Sequence, residues 1–274
     1  MNLAARFREF VEPQYVIEDA ETRATYECDG LSIYREMPDI VVLPGTPDEV
    51  QRVMATCHEL GVPVIARGAG TGLCAGATPS RGAVVMGLSR LDRIVAIDPL
   101  ARIARVQPGV RNLAISEAAA AYGLFYGPDP SSQIACSIGG NVAENSGGVH
   151  CLKYGLTIHN VLAVEFVDVT GEVMTLGAQS LDSAGFDLLA LAIGSEGLLG
   201  VVTEVSVRLL PAPERAQVVL AAFDNVQAAG DAVGAVISAG IIPAGLEMMD
   251  GPAIRAAEDF AQAGYPRDAA AILL

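Results

Sequence analysis

The sequence predicts an α+β fold, and three observations lead to that prediction. Apolar runs with strand character recur along the 274 residues, and segments with helical periodicity lie between them. From Ala83 onward the pattern becomes strand-rich. This pattern stops at Pro211-Ala212-Pro213, and the remainder of the chain changes character. We therefore expect an irregular or helical lead-in over residues 1–36, a first domain over residues 37–213 and a second domain over residues 214–274.

The first regular unit is a compact strand–helix–strand. The strand covers Ile40 to Leu43, and Thr46 is the expected N-cap of the helix that follows. Glu49 comes three residues after Thr46, and this spacing predicts a capping box. The helix ends at Gly61, and Val62 to Ala66 forms the second strand. This unit leads the chain directly into a glycine-rich loop.

The middle of the chain is expected to contain more strands than helices. The expected strands are Val84–Leu88, Ile94–Ile97, Ile103–Gln107, Val161–Val169, Glu172–Leu176 and Val201–Leu210. The expected helices run from Asn112 to Tyr122 and from Asp187 to Ile193.

Residues 214–274 predict the order strand, helix, strand, helix, strand. The strands are Val218–Phe223, Ala244–Met249 and Ala270–Leu274, and the helices are Val226–Ala239 and Pro252–Ala263. This order is typical of a ferredoxin-like α+β module. The last strand stops without a terminating signal, although its backbone must be paired, so we expect the sequence to be truncated within this module.

Charge and composition exclude several classes of partner. The formal net charge is −15 and Lys153 is the only lysine, which argues against nucleic acid or anionic lipid as a partner. Residues 1–10 carry charges where a signal peptide needs an apolar segment, and no apolar run approaches the length that spans a bilayer. Five cysteines without a C-x-x-C pair fit reduced thiols in the cytoplasm.

The segment from Arg67 to Pro79 is the most informative motif, because it holds four glycines directly after a strand. Glycine permits positive φ and a close approach of ligand, and successive N–H groups in such a loop form an anion site. A second strand, Ala83 to Leu88, follows the loop, whereas a Rossmann fingerprint needs a helix there. The loop therefore predicts that a diphosphate, and hence a nucleotide cofactor, binds outside a Rossmann domain.

Two further segments support a cofactor site. Gly127 to Gly155 contains Pro-Asp-Pro-Ser-Ser, then Ser-Ile-Gly-Gly-Asn, then Asn-Ser-Gly-Gly, and ends in Lys-Tyr-Gly. Gly194 to Thr203 reads Gly-Ser-Glu-Gly-Leu-Leu-Gly-Val-Val-Thr and connects a short helix to a strand. Small residues let a backbone lie against a flat ring, and side-chain amides hydrogen-bond its edge.

Together the three segments resemble the FAD-binding domain of the FAD-linked oxidase family, of the vanillyl-alcohol oxidase type. The resemblance covers nearly the whole chain from Tyr26 onward. Within the family, the chain most resembles the flavin subunits of bacterial glycolate oxidases, beside D-lactate and D-2-hydroxyglutarate dehydrogenases. The resemblance implies a two-subdomain FAD-binding domain followed by the start of a ferredoxin-like α+β cap domain that serves the substrate.

The resemblance also implies FAD-binding roles for residues of all three segments. The glycine loop would hold the pyrophosphate, the second segment would line the ribityl and isoalloxazine parts, and the third would hold the adenosine end. The residues concerned are Arg67, Gly68, Ala69, Gly70, Thr71, Gly72, Gly76 and Ala77 in the loop, Pro128, Asp129, Ser132, Gly139, Gly140, Asn141, Asn145, Gly148 and Gly155 in the second segment, and Glu196, Gly197, Val201 and Val202 in the third.

The sequence assigns no catalytic residue and no metal ligand. Some family members bind flavin covalently through a histidine in the glycine loop, and this loop has none, so we expect non-covalent FAD. In the family, a basic residue for the substrate carboxylate and, in many members, a histidine- and carboxylate-bound metal lie in the second half of the sequence. No histidine follows Pro213 here. His150 and His159 flank the flavin-region loop and are interpreted as structural.

The resemblance implies FAD-dependent oxidation of a small 2-hydroxy acid, glycolate first, by hydride transfer to the flavin. Glycolate oxidases carry a second flavin subunit and an iron–sulfur subunit, so both are expected partners. Any contact with the membrane is expected to be peripheral, at its inner face and through these partner subunits. A D-lactate or D-2-hydroxyglutarate dehydrogenase is the alternative within this chemistry. A non-catalytic FAD-binding scaffold subunit, or an inactive fragment, is the alternative of another class. We expect the chain to be inactive by itself.

Overall fold

The computed structural model describes residues 2–179 and 185–274. The helices are α1 (Leu3–Phe7), α2 (Ala20–Ala24), α3 (Pro47–Leu60), α4 (Asn112–Ala119), α5 (Ile138–Glu144), α6 (Cys151–Tyr154), α7 (Leu188–Ala192), α8 (Val226–Ser238) and α9 (Gly251–Ala261). The strands are β1 (Val16–Ile17), β2 (Ile40–Val42), β3 (Val64–Arg67), β4 (Val84–Gly87), β5 (Ile94–Asp98), β6 (Ile103–Val106), β7 (Leu124–Tyr126), β8 (Val161–Asp168), β9 (Val173–Gly177), β10 (Gly200–Pro211), β11 (Ala221–Phe223), β12 (Met248–Asp250) and β13 (Ala271–Leu273). Helices and three separate sheets coexist in the described residues, which confirms the predicted α+β class.

The first sheet explains where the glycine-rich loop lies. Its strand order is β1-β2-β4-β3, and β2, β4 and β3 are parallel. β3 and β4 are direct neighbours, with Val64 opposite Val84 and Arg67 opposite Gly87. Parallel neighbours need a crossover connection, and residues 68–83 provide it without a helix. The glycine loop is this crossover, and it begins at the carboxyl end of β3, the edge where parallel sheets commonly bind ligands.

Helix α3 begins and ends as predicted, but its capping differs in one contact. Thr46 Oγ1 accepts a hydrogen bond from Glu49 N at 3.2 Å, and Gly61 ends the helix with a φ of 64°. The Glu49 carboxylate accepts from Gly45 N at 2.6 Å, so the predicted capping box with Thr46 N is wrong. Arg90 lies 3.9 Å from Glu49 Oε2 and packs against Gly45, and it holds the carboxylate on that side.

Thr46→Ala is expected to lower the free energy of unfolding by about 1 kcal/mol, because the Glu49 N–H loses its side-chain acceptor. Thr46→Ser keeps a hydroxyl at the same place and serves as the matched control. Chemical denaturation of both variants measures the effect. Equal midpoints for Thr46→Ala and the unmodified protein would contradict the role of Thr46 as N-cap.

The second sheet has the order β5-β6-β10-β8-β9, and β7 also pairs with β10. Each of these pairs is antiparallel. From adjacent positions on β8 and β10, Val167 and Val201 pack in the core of the first sheet, while Phe166 and Val202 pack in the core of the second. The β8–β10 pair therefore joins two subdomains, as the resemblance implied.

Some short elements were not predicted from the sequence. They include β1, β7 and α5, of two, three and seven residues. α5 begins Ile138-Gly139-Gly140, and glycine disfavours helix by about 1 kcal/mol per residue relative to alanine. β1 and β7 are too short for an alternating pattern to be recognised. Tertiary contacts, rather than local propensity, therefore fix these elements.

Residues 214–274 form the predicted series of strands and helices, but two strands differ in extent. The sheet order is β11-β13-β12, and β13 is antiparallel to both neighbours. The strand predicted from Val218 begins at Ala221, and the strand predicted from Ala244 begins at Met248. In the described part of the chain both strands pair with the three residues of β13, and their extents match it. The domain limits at residues 36 and 213 stay a prediction.

Candidate functional site

A groove lies between the glycine loop, helix α5 and the turn that precedes β10. It consists of two adjoining cavities of about 180 Å³ and about 60 Å³. The residues shared by both are Ala66, Gly68, Ser137, Gly140, Ala143 and Glu196. The larger cavity extends along the loop to Gly76 and Ala77, and the smaller reaches Gly197, Val201 and Val202. The three segments singled out in the sequence therefore meet at one groove.

Arg67 and two residues with positive φ shape the glycine loop. Gly70 has a φ of 69°, and a Cβ at this position would overlap the Arg67 guanidinium. Arg67 Nη1 donates to Cys28 O at 2.7 Å and to Ala77 O at 3.5 Å, so its side chain spans the base of the loop. Burial lowers the pKa of Arg67. Ala75 also has positive φ, at 60°, although no glycine marks that position.

Two other loop glycines are needed for space rather than for positive φ. A Cβ on Gly68 would overlap Ser137 Oγ, and a Cβ on Gly72 would lie 2.9 Å from Glu144 Oε1. Neither glycine has positive φ. The expectation that the glycines provide positive φ therefore holds at Gly70, whereas Gly68 and Gly72 allow the loop to approach α5 closely.

Helix α5 forms the opposite wall of the groove. Its N-cap is Ser137, whose Oγ accepts from Gly140 N at 3.3 Å. Gly139 N donates to Pro108 O at 2.8 Å, and a Cβ on Gly139 would lie 2.6 Å from Pro108 Cβ. The first N–H groups of the helix are therefore occupied by the protein itself. The glycines instead let the helix pack tightly and present Gly140 and Asn141 to the groove.

The turn before β10 is pinned to the end of α5. Gly194 N donates to Val142 O and Glu196 N donates to Ala143 O, each at 2.9 Å. Carbonyls at a helix end lack intrahelical partners, so these bonds satisfy them. Gly194 and Glu196 both have positive φ, at 81° and 53°. The turn thereby places the Glu196 side chain on the groove.

Two buried polar atoms on the groove lack a partner. Asp29 is 6% exposed, and its Oδ1 accepts from Leu31 N at 2.8 Å while its Oδ2 has no hydrogen bond. Asn141 is 3% exposed, and its Nδ2 has no acceptor. Both residues line the larger cavity. Because an unsatisfied buried polar group costs about 1–3 kcal/mol, a ligand that both donates and accepts hydrogen bonds would be stabilised here.

The same cavity carries more negative than positive charge. Burial, followed by the charges of Glu196 and Asp29, raises the pKa of the Glu144 carboxyl. The charge of Glu144 in turn is the main cause that raises the pKa of the exposed Cys74 thiol. Three carboxyl groups thus face a loop whose backbone is suited to an anion.

Most of the predicted cofactor residues line this groove. They are Arg67, Gly68, Ala69, Gly70, Thr71, Gly72, Gly76, Ala77, Ser132, Gly139, Gly140, Asn141, Glu196, Gly197, Val201 and Val202. Lining residues that the sequence did not assign include Asp29, Ser137 and Glu144. An N-cap signal marks Ser137 as the start of a helix. Asp29 lies in the lead-in, where no pattern distinguishes it.

Asp129 and Gly148 lie beside the groove and hold one of its loops. A Cβ on Gly148 would overlap the Asp129 backbone. The Asp129 carboxylate accepts from His150 N at 3.1 Å, and its Oδ2 lies 2.5 Å from His150 Nδ1. Ser132 and Ser146, from the same two stretches of chain, do line the larger cavity. The contacts of Asp129 thus fix the loop that carries Ser146.

Pro128, Asn145 and Gly155 likewise order the backbone near the groove. Asn145 has a φ of 51°, and its Oδ1 accepts from Ile158 N at 3.0 Å. Pro128 O accepts from Asn112 Nδ2 at 3.1 Å. Gly155 has a φ of 81°. None of the three lines either cavity, so direct FAD contacts for them stay a prediction.

Two further findings, on metal binding and on membrane-spanning helices, concern residues 2–179 and 185–274. No three or more His, Cys, Asp or Glu side chains of these residues come together as a group that could hold a metal ion. No helix formed by them is both long enough and apolar enough to cross a membrane. The five cysteines are free thiols.

Two protein-family models match the chain. The model described as FAD binding domain matches residues 38–177, and the model described as FAD linked oxidases, C-terminal domain, matches residues 212–274. The first match contains the glycine loop and α5. Asp29 and Glu196 fall outside both matches, although they line the same groove.

Curated relatives include glycolate oxidase subunits and D-lactate dehydrogenases. Glycolate oxidase subunit GlcD of Escherichia coli (strain K12) is 61% identical over 97% of this chain, and GlcD of Bacillus subtilis (strain 168) is 44% identical over 92%. D-lactate dehydrogenase of Anaerostipes hadrus is 34% identical over 96%. These alignments cover 54%, 54% and 56% of the relatives, so the chain spans about half their length.

Solved structures share the fold at lower identity. An alkyldihydroxyacetonephosphate synthase has a TM-score of 0.85 and 21% identity, with 99% of this chain and 54% of that chain covered. The 4-ethylphenol oxidase from Gulosibacter chungangensis has a TM-score of 0.81 and 20% identity, with 99% and 58% covered. The fold is thus the two-subdomain fold of the vanillyl-alcohol oxidase type, as predicted. The chain belongs to the FAD-binding domain family of the FAD-linked oxidases, and FAD is its cofactor.

Proposed function

We propose that the protein is the flavin subunit of a glycolate oxidase-like enzyme, which oxidises a small 2-hydroxy acid, glycolate foremost, with FAD. The observation that carries this proposal is the groove at which the three glycine-rich segments meet. The strong similarity to glycolate oxidase subunits supports the choice of substrate class.

The donors and acceptors of the groove fit FAD. Phosphate oxygens of FAD would accept from backbone N–H groups of the glycine loop and from Asn141 Nδ2, which lacks an acceptor. Hydroxyl groups of its ribose or ribityl chain would donate to Asp29 Oδ2, which lacks a donor. In this proposal, the predicted cofactor residues that line the groove hold FAD. Asp129, Asn145 and Gly148 support the walls of the groove.

When bound, FAD supplies an acceptor for the hydride of the substrate carbon. The residues of this chain bind and orient the cofactor, and the close approach of Gly68 and Gly72 to Ser137 and Glu144 fixes the two walls of the groove. No residue is assigned to substrate chemistry. Binding of a carboxylate substrate needs a fixed cation, and abstraction of the hydroxyl proton needs a positioned base.

We further propose that the protein works in a complex. The relatives GlcD are named as subunits of glycolate oxidase. A second flavin subunit and an iron–sulfur subunit are the proposed partners, and the proposed location is the cytoplasm, with peripheral contact at the inner face of the membrane through those partners.

A D-lactate or D-2-hydroxyglutarate dehydrogenase is the second candidate, because a D-lactate dehydrogenase aligns with nearly the whole chain. Anaerobic stopped-flow spectroscopy of the complete gene product distinguishes the candidates. Glycolate is expected to bleach the bound flavin with the highest ratio of rate to KM among glycolate, D-lactate and D-2-hydroxyglutarate. A higher ratio for D-lactate or D-2-hydroxyglutarate would favour the second candidate, and no bleaching by any of them would favour a non-catalytic scaffold.

A further inference from the structure

Three carboxyl groups, those of Asp29, Glu144 and Glu196, line the larger cavity of the groove. We propose that binding of the FAD diphosphate is coupled to the uptake of one proton by the Glu144 carboxylate, which Asp29 and Glu196 flank. The proposal rests on the proposed assignment of FAD to this groove.

The first support is the position of the carboxyl groups relative to the loop. A methyl group built on Gly72 would lie 2.9 Å from Glu144 Oε1 and 3.8 Å from Asp29 Oδ2, and one built on Gly76 would lie 3.7 Å from Glu144 Oε1. The two carboxyl groups therefore face the same part of the loop, from α5 and from the lead-in. Glu196 faces the cavity from the turn before β10.

The second support is that the groove is built for a ligand. Asp29 and Asn141 both line the larger cavity and are more than nine-tenths buried, and each has a polar atom without a hydrogen-bond partner. A helix end offers no compensation for an anion here, because the first N–H groups of α5 bond to Pro108 and to Ser137. A diphosphate held by the glycine loop would therefore lie close to carboxyl groups without a matching set of free helix donors.

The charged and titratable groups around Glu144 determine the sign of the effect. Burial and the charges of Glu196 and Asp29 raise the pKa of the Glu144 carboxyl, whereas the hydrogen bond with the Cys74 thiol lowers it, and the net shift is upward. Arg67, from β3, is the cation that faces Asp29, but it donates to Cys28 O and Ala77 O below the loop. The charge of Arg67 offsets part of the repulsion between Asp29 and the diphosphate, but the Glu144 carboxylate still lies beside the anion.

Linkage then gives the dependence on pH. The pKa of Glu144 is already raised in the free protein, and a neighbouring diphosphate raises it further, because like charges disfavour ionisation. Between the two pKa values the complex binds one more proton than the free protein. FAD affinity therefore falls as pH rises through this window, by at most about tenfold per pH unit for one proton.

The experiment is isothermal titration of the cofactor-free gene product with FAD, in pairs of phosphate-free buffers at the same pH, from about pH 4.5, near the ordinary pKa of a glutamate, to about pH 8. These buffers differ in ionisation enthalpy, so the difference in measured enthalpy counts the protons taken up. We expect net uptake in the unmodified protein and a Kd that rises with pH. This measurement requires no variant.

Glu144→Gln assigns the proton, because it keeps the shape and removes the charge. We expect the variant to bind FAD without proton uptake, with a flat pH dependence, and more tightly than the unmodified protein at the high-pH end. Glu172→Gln makes the same charge change at an exposed site outside the groove and is expected to keep the unmodified pH dependence.

Three outcomes would overturn the proposal in different ways. Equal enthalpies in both buffers together with a flat Kd would overturn proton coupling, while FAD binding itself would stand. Unchanged proton uptake in Glu144→Gln would overturn the assignment of the proton to Glu144. Absence of FAD binding at every pH would overturn the cofactor site and the coupling together.

Discussion

Gly68→Ala is expected to weaken FAD binding about 5- to 150-fold, the equivalent of about 1–3 kcal/mol of overpacking. Gly68 lies where both cavities of the groove meet, and an added Cβ would overlap Ser137 Oγ. Ser137 would have to move, and the bond from Gly140 N to its Oγ would be lost. The loop and α5 would then separate, although they form opposite walls of the same site.

Gly230→Ala is the matched control for this change. Gly230 lies in α8, and a Cβ there meets nothing within 4 Å. Alanine in a helix interior is more stable than glycine by about 0.5–1 kcal/mol, so this variant should fold at least as well as the unmodified protein. Titration with FAD, followed by flavin fluorescence, measures both affinities. A folded Gly68→Ala protein that binds FAD with unmodified affinity would show that the loop–α5 contact is not part of the cofactor site.

Ile138→Ala is expected to lower the free energy of unfolding by about 2–5 kcal/mol. Ile138 is fully buried in the core of the second sheet and is the first residue of α5. Its N–H donates to Val110 O at 2.8 Å, so the residue fixes both the position and the packing of the helix. A cavity at this point would destabilise the core and loosen the wall that carries Asn141.

Ile138→Val tests whether packing is the cause. It removes one methylene and should cost about 0.5–1.5 kcal/mol. Thermal unfolding of the cofactor-free variants gives the comparison, with about 2–4 °C of Tm expected per kcal/mol. A loss for Ile138→Ala no larger than that for Ile138→Val would show that α5 is not held by this core.

The sequence predicts the fold where a local signal and a tertiary contact agree. Thr46 and Gly61 mark both ends of α3, because a cap hydroxyl and a left-handed glycine are local requirements. The glycine loop is recognisable because β3 and β4 are apolar runs on either side of it. The same rules fail for α5, where Gly139 packs on Pro108 and helix propensity is low.

The groove is predictable only in part, because it is formed by segments that are distant in the sequence. The motifs identify residues that share a segment, such as Gly68 and Gly72, and the structure brings those segments together. Asp29 belongs to none of the motifs, since its place on the groove depends on how the lead-in folds back below the loop. Asp129 belongs to a motif but supports the wall through His150, a role that spacing does not reveal.

The identity of the retained cofactor tests the central claim most directly. The purified gene product is incubated with FAD, FMN and NAD together, freed of unbound ligand and denatured with acid, and the released compound is identified by absorbance and mass. We predict stoichiometric FAD in the supernatant and a colourless pellet, since the glycine loop contains no histidine for a covalent bond. Release of FMN, of NAD or of no cofactor would contradict the account.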